Sequence, residues 1–266
     1  MLPSHPLAWG SSSSRAGQEA AGLRFGDKGT HSSRTMMLSE LSELLGVVPA
    51  EASREGYADA IVGENALGKQ TISNRRLTNQ RMGELYGLAP SVPIFRVLRR
   101  LWDADEAGRP LLALLCALAR DPLLRATART VLALRPGQEL LRSLMTEAIT
   151  DVTESRLNES STDKVARNTG SSWTQSGHLE GRVRKMRRPV RATAGATAFA
   201  LWLGAVQGLA GEDLLKSAWA GVLDANPSEL LELALRAKQL GFIRVRSGGG
   251  VIEIDARALD PAENGD

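Results

Sequence analysis

One cysteine and three histidines in 266 residues leave little for several kinds of chemistry to work with. Cys116 alone can form neither an intramolecular disulfide nor a thiolate metal cluster, and a reducing, cytoplasmic setting fits that usage. It lies in PLLALLCALA, where a buried thiol behaves as a small hydrophobe. His5, His31 and His178 are scattered, with no metal-ligand spacing to one another or to Cys116. The chain also lacks GxSxG, HxxxH and a glycine-rich phosphate loop, and GDKGTHSS at 26–33 misses the spacing of a Walker loop. Ser176-Gly177-His178 is too short for a nucleophile motif, and Glu212-Asp213 suits the dipole of the helix it opens. These absences argue for a non-enzyme, with no cofactor and no metal expected.

Long apolar runs are missing too. Residues 1–35 have no uninterrupted apolar core of signal-peptide length. Ala192 to Ala210 is free of charge for 19 residues and follows a basic cluster, as a membrane span would. It is rich in Ala, Gly and Thr, however, with only Phe199, Leu201, Trp202, Leu203, Val206 and Leu209 strongly apolar. We read it as a buried core helix, and expect no membrane partner.

Acidic residues are absent where basic ones concentrate. The formal charge of the whole chain is only +3. Residues 151–191 nevertheless carry nine Lys or Arg against five Asp or Glu, whereas 212–266 carry six against ten. From Arg182 to Arg191 six of ten residues are basic and none is acidic. Such a run repels itself unless it is solvated or meets an anion, so a localised anion-binding surface is expected there.

Just upstream, NESSTDKVARNTGSSWTQSG reads as a helix and its stop. Asn158, Ser160 or Ser161 can cap it, and Glu159 and Asp163 suit its positive end. Val165, Ala166, Thr169 and Trp173 share one face, leaving Lys164, Arg167, Asn168, Ser171 and Gln175 outside. Gly177 can take the left-handed conformation that ends a helix. Helix, glycine turn and basic arm together outline a winged helix-turn-helix. In that reading Lys164, Arg167, Asn168 and Gln175 face a groove of duplex DNA, while Arg182, Arg184, Lys185, Arg187 and Arg188 grip phosphates. Neither Tyr nor Phe occurs in the arm, which removes the stacking platform usual for single strands.

The rest of the chain reads as helices. Met36–Leu45, Ala50–Val62 and a third helix from Thr71 or Ser73 come first, and the third carries Arg75, Arg76 and Arg81 with Lys69 just before it. That outline also suits a helix-turn-helix, and these four are candidates for secondary DNA contact. Pro93–Trp102, Leu111–Ala119 and Pro122–Leu134 come next, the middle one almost without a polar face. Arg96, Arg99 and Arg100 cluster on one side of their helix, facing either phosphate or Asp103, Asp105 and Glu106. A helix from Pro136 to Arg156 supports the expected recognition helix. Helices at 194–207, 212–223 and 227–240 lead to two β-branched runs around a glycine turn, Phe242–Arg246 and Val251–Ile254, expected as a hairpin. Its acidic neighbourhood favours packing or protein binding.

The fold class expected is therefore mainly α, a multi-helix protein with winged helix-turn-helix-like modules and one or two short β-hairpins. Composition shifts suggest a disordered tail at 1–29, helical domain at 30–135, winged-helix-like module with a basic arm at 136–191, helical module with hairpin at 192–258 and tail at 259–266. Met36 and Met37 offer an alternative start, which would place 1–35 outside the natural protein.

The order of NRRLTNQRMGELYGL, LLALLCALARDPLL and LNESSTDKVARNTGSSWTQSGHLEG resembles the BrxA-type accessory proteins of bacterial BREX phage-defence systems, over roughly residues 30–258. The likeness is one of layout; the chain departs from the family in its length and Ser-rich start. It implies a small, mostly helical, cytoplasmic DNA-binding protein without catalytic activity, acting beside other proteins of a defence complex, with Lys164, Arg167 and Arg182 to Arg188 inheriting the DNA contact. A helical scaffold that docks a protein partner, its basic arm meeting an acidic patch, is the alternative.

Overall fold

A computed structural model describes residues 14–248, 251–260 and 262. The chain is mainly α, with two short antiparallel hairpins. Two helices organise it. One is α6 (Arg109–Arg120), buried from Leu111 onward; the other is α11 (Ala194–Val206), buried from Ala194 through Ala205. They pack on each other. Neither has a polar stripe to show to water, and the sequences of both predict this. Among the described residues no helix is long and apolar enough to cross a membrane.

On α6 pack α4 (Ile72–Tyr86), α5 (Pro93–Ala104) and α7 (Pro122–Ala126); α3 (Arg54–Val62) packs on α4, α2 (Leu38–Val47) on α3 and α8 (Ala128–Leu132) on α7. Around α11 stand α12 (Ala218–Gly221), α13 (Pro227–Gln239) and the hairpin β3 (Arg244–Gly248) with β4 (Val251–Asp255). One apolar cluster runs from Leu23 to Leu259 and includes residues of both groups. Caps fall where the sequence offers them. Thr71, Asn158, Thr193 and Asn226 each accept a backbone N–H at a helix start, and Asn226 forms a capping box with Glu229.

Several expected helices are shorter, for local reasons. The second begins at Arg54 because Pro49–Ala52 forms a turn and Ser53 then caps α3. The first is shifted rather than shortened, starting at Leu38 after Met37 in a left-handed conformation (φ 54°) and running through Val47. Pro122–Leu134 breaks at Thr127, and 212–223 divides into a 3-10 turn (Gly211–Lys216) and α12. The helix expected from Pro136 is α9 (Arg142–Val152) alone. Residues 137–140 instead lie beside the basic arm: the Gly137 and Leu140 N–H groups donate to the Arg187 and Lys185 carbonyls, each at 2.8 Å.

The tail expected to be disordered is partly built into the fold; its residues 1–13 lie outside those described. Within 14–29, α1 (Arg15–Ala20) leads to Leu23, which is buried, and to Phe25, whose ring is flanked by the guanidinium groups of Arg15 and Arg125. The lead-in Thr30–Met37 then runs between α4 and the helix α10 (Glu159–Gln175) as a strap. A start at Met36 would remove packed structure.

Candidate nucleic-acid interface

α10 is the expected helix, at the expected place. Val165, Ala166, Thr169 and Trp173 are buried, and the Trp173 indole donates to Thr127 Oγ1 at 2.8 Å. Its outer face divides along its length. Toward the N-terminus Lys164 and Arg167, three apart, are exposed without a carboxylate in ion-pair range among the described residues. The nearby Asp163 is bonded to Arg142, which holds its carboxyl below the ordinary range, with a smaller effect from Arg167.

Farther along, the polar face belongs to the strap. Asn168 donates to the His31 carbonyl at 2.8 Å; Gln175 accepts from the Leu38 N–H at 3.3 Å and donates to Thr35 Oγ1 at 3.1 Å. These two amides, expected to face a groove, are corrected to internal fasteners. Their sequence neighbours give the same polar signal whether the face meets solvent or a strap.

The strap has a buried anchor. His31 Nδ1 stands 2.8 Å from Asp121 Oδ2, and Nε2 stands 2.8 Å from Ser172 Oγ. Asp121 also caps α7 by accepting from the Leu123 and Leu124 N–H groups, and Ser172 accepts from the Met36 N–H. Burial alone would raise the Asp121 carboxyl, but the charge and hydrogen bonds of His31 outweigh it and hold it below its ordinary value. Serine, histidine and aspartate in this order have the connectivity of a nucleophilic relay. All three side chains are at most 1% exposed, so no substrate reaches the hydroxyl in this conformation. The arrangement acts as a clamp.

The arm is a hairpin, β1 (Leu179–Glu180) paired with β2 (Met186–Arg187), entered through Gly177 at φ 87°. Its cations divide by environment. Arg187 is 3% exposed; its guanidinium pairs with Asp224, which also accepts the Val190 N–H and so fixes the end of the arm. Its role as a phosphate contact is corrected, because a buried, carboxylate-paired cation does not reach a backbone. Arg184 and Arg188 are exposed but paired with Glu139 and Glu180. Lys185 lies across Gly170 with Nζ 2.8 Å from Thr174 Oγ1, and burial lowers its pKa. Arg182, beside the 91% exposed Val183, has no carboxylate in range among the described residues. The structure therefore brings Lys164, Arg167 and Lys185 onto the outer side of α10, with Arg182 in the adjoining hairpin loop.

Of the secondary candidates, Lys69 pairs with Glu40 at 3.0 Å and Arg81 with Glu84 at 2.8 Å. Arg75 donates to the Lys69 and Val62 carbonyls, closing the C-terminal end of α3. Arg76 alone of the four is exposed. Sequence reasoning missed Arg34, which bridges strap and α4 through Asn74 Oδ1 at 3.2 Å. Its only signal was an isolated Arg in a Ser- and Thr-rich stretch.

His178 is fully buried. Its Nε2 faces the Val222 carbonyl at 2.8 Å and must carry the proton, while Nδ1 faces Ser176 Oγ at 2.8 Å. Burial pushes its pKa down to about 4, so the ring is neutral. Burial pushes the Cys116 thiol up to about 12, which suits an inert core residue. Arg99 reaches the Leu45 and Val48 carbonyls as well as Asp103, and Arg96 pairs with Asp260. Among the described residues no three His, Cys, Asp or Glu side chains converge to hold a metal ion. No protein-family model and no curated protein matches this sequence.

Proposed function

We propose that this protein is a non-catalytic DNA-binding accessory protein that holds duplex DNA by its phosphates, along the outer side of α10 and the adjoining hairpin. The observation that carries the reading is the set Lys164, Arg167 and Arg182, exposed and without carboxylate partners among the described residues, with Lys185 between them over Gly170. Phosphate contacts of this kind give salt-steep binding with little sequence preference. Helix and hairpin together would act in the winged-helix manner, and the resemblance to BrxA-type proteins suggests a role beside other proteins of bacterial phage defence, in the cytoplasm.

Fluorescence anisotropy with a duplex of about three helical turns, across a salt series, tests it. Changing Lys164, Arg167 and Arg182 to Ala together is expected to lower the slope of log K against log salt by about three units. Absence of wild-type binding at low salt would overturn the reading. The second reading, a scaffold that docks a protein, is favoured by exposed apolar groups near the same hairpin: Val183 at 91%, Leu141 at 54% and Leu144 at 37%.

A further inference from the structure

A second basic surface lies at the C-terminal hairpin, where sequence composition is acidic. A cleft of about 470 Å³ opens between the end of α13 and β3. Arg100 enters it from α5, Lys238 from the last turn of α13, and Arg244 and Arg246 from β3; among the described residues none that lines it is acidic. We propose that this cleft is an anion site for a phosphate-bearing ligand, separate from the α10 surface.

Three features support it. Arg100 is fixed in advance: it donates to the Leu259 and Gly241 carbonyls at 2.9 Å each and to Ala258 at 3.5 Å, and lies 5.9 Å from the centre of the Phe242 ring. A guanidinium has five N–H donors, so these bonds do not exhaust it, and an oriented cation loses little freedom on binding. Next, Arg244 and Arg246 alternate along the strand and so project from one face, about 7 Å apart. Their own carboxylates stand across the hairpin, Asp255 at 3.5 Å and Glu253 at 3.9 Å, in a smaller cavity of about 80 Å³ beside the cleft. The Arg246–Glu253 pair is long and solvent-exposed, hence weak, and a charge-assisted bond to phosphate competes with it. Finally, the acidic residues of α13, Glu229 and Glu232, sit in its first half, whereas Arg236 and Lys238 occupy its end. On α13 itself, therefore, the acidic residues lie away from the cleft, and the carboxylates beside it are Asp255 and Glu253 across the hairpin.

Inorganic pyrophosphate, titrated calorimetrically into the full chain at low salt, is the probe. Binding is expected in the wild type, about tenfold weaker when Lys238 and Arg246 are both changed to Ala, and largely kept in Arg246→Lys. Both side chains are exposed, so an unchanged melting temperature is expected to show that folding is intact. Failure of the wild type to bind pyrophosphate, or equal binding by the double variant, overturns the proposal. The Lys164, Arg167, Arg182 triple variant must bind pyrophosphate normally; its loss there would show that the cleft is not a separate site. Competition by a DNA duplex then identifies the source of the phosphate: displacement points to a polynucleotide backbone, and none to a small phosphorylated compound.

Discussion

At the scale of single residues, two buried groups give sharp tests. His178 has a folded pKa of about 4 against an ordinary 6.5, because burial disfavours the charged ring. Between those values the unfolded chain binds the extra proton and the folded chain does not, so stability is present above pH 6.5 and is lost as pH falls toward 4. The loss should approach about 3 kcal/mol. Urea melts at pH 7, 5.5 and 4.5 should show it, and His178→Gln should flatten this part of the profile. Gly29 is needed for a different reason. Its backbone is extended, with φ −161°, but a Cβ there would collide with the Asp121 carboxylate that holds His31. Gly29→Ala should therefore destabilise by about 1–3 kcal/mol, measured by the same melts. Nothing in GDKGTHSS marks that glycine as a strap residue, since its partner lies 92 positions away by sequence number.

At the scale of elements, the basic arm separates structure from binding. Asp224→Ala would leave the Arg187 guanidinium buried without its carboxylate, and should cost about 3–5 kcal/mol. Glu139→Gln with Glu180→Gln removes only solvent-facing pairs, so the melting temperature should hardly change. It frees Arg184 and Arg188, however, and duplex affinity at low salt should rise, with a salt slope steeper by up to about two units. Anisotropy and thermal melts on the two variants distinguish a fixing residue from a restrained contact. Helix α10 was legible in sequence down to its cap, because a cap, an apolar face and a stopping glycine are all local signals. Which of its polar residues face solvent was not legible: Asn168 and Lys164 differ only by the strap over one of them. Arginine misled for a related reason. Arg75, Arg99, Arg120 and Arg125 each donate to carbonyls at the ends of helices or turns, so a count of cations overstates the surface available to an anion.

At the scale of the molecule, the strap makes distant parts depend on one another. It is bound on one side by α4, through Thr30 to Glu84 and Arg34 to Asn74, and on the other by α10, through Asn168, Ser172 and Gln175. Behind it Arg120 donates to the Gly22 carbonyl and Arg125 to the Arg24 carbonyl. Removing residues 1–35 would strip partners from all of these groups at once. Asn168 would lose its acceptor and Asp121 its His31 partner, while Ser172 keeps the Met36 N–H and Arg120 keeps the Gly83 and Glu84 carbonyls. Breaking the buried His31–Asp121 contact alone should cost about 3–5 kcal/mol, a large share of the roughly 5–15 kcal/mol of an ordinary domain. A chain beginning at Met36 should accordingly lose its cooperative urea transition and the fixed near-ultraviolet signal of Trp173, while keeping much of its helical circular dichroism, since α6 and α11 are apolar on every side. A sharp transition in that shortened chain would mean that the strap is dispensable, and that α4 and α10 hold their places without it.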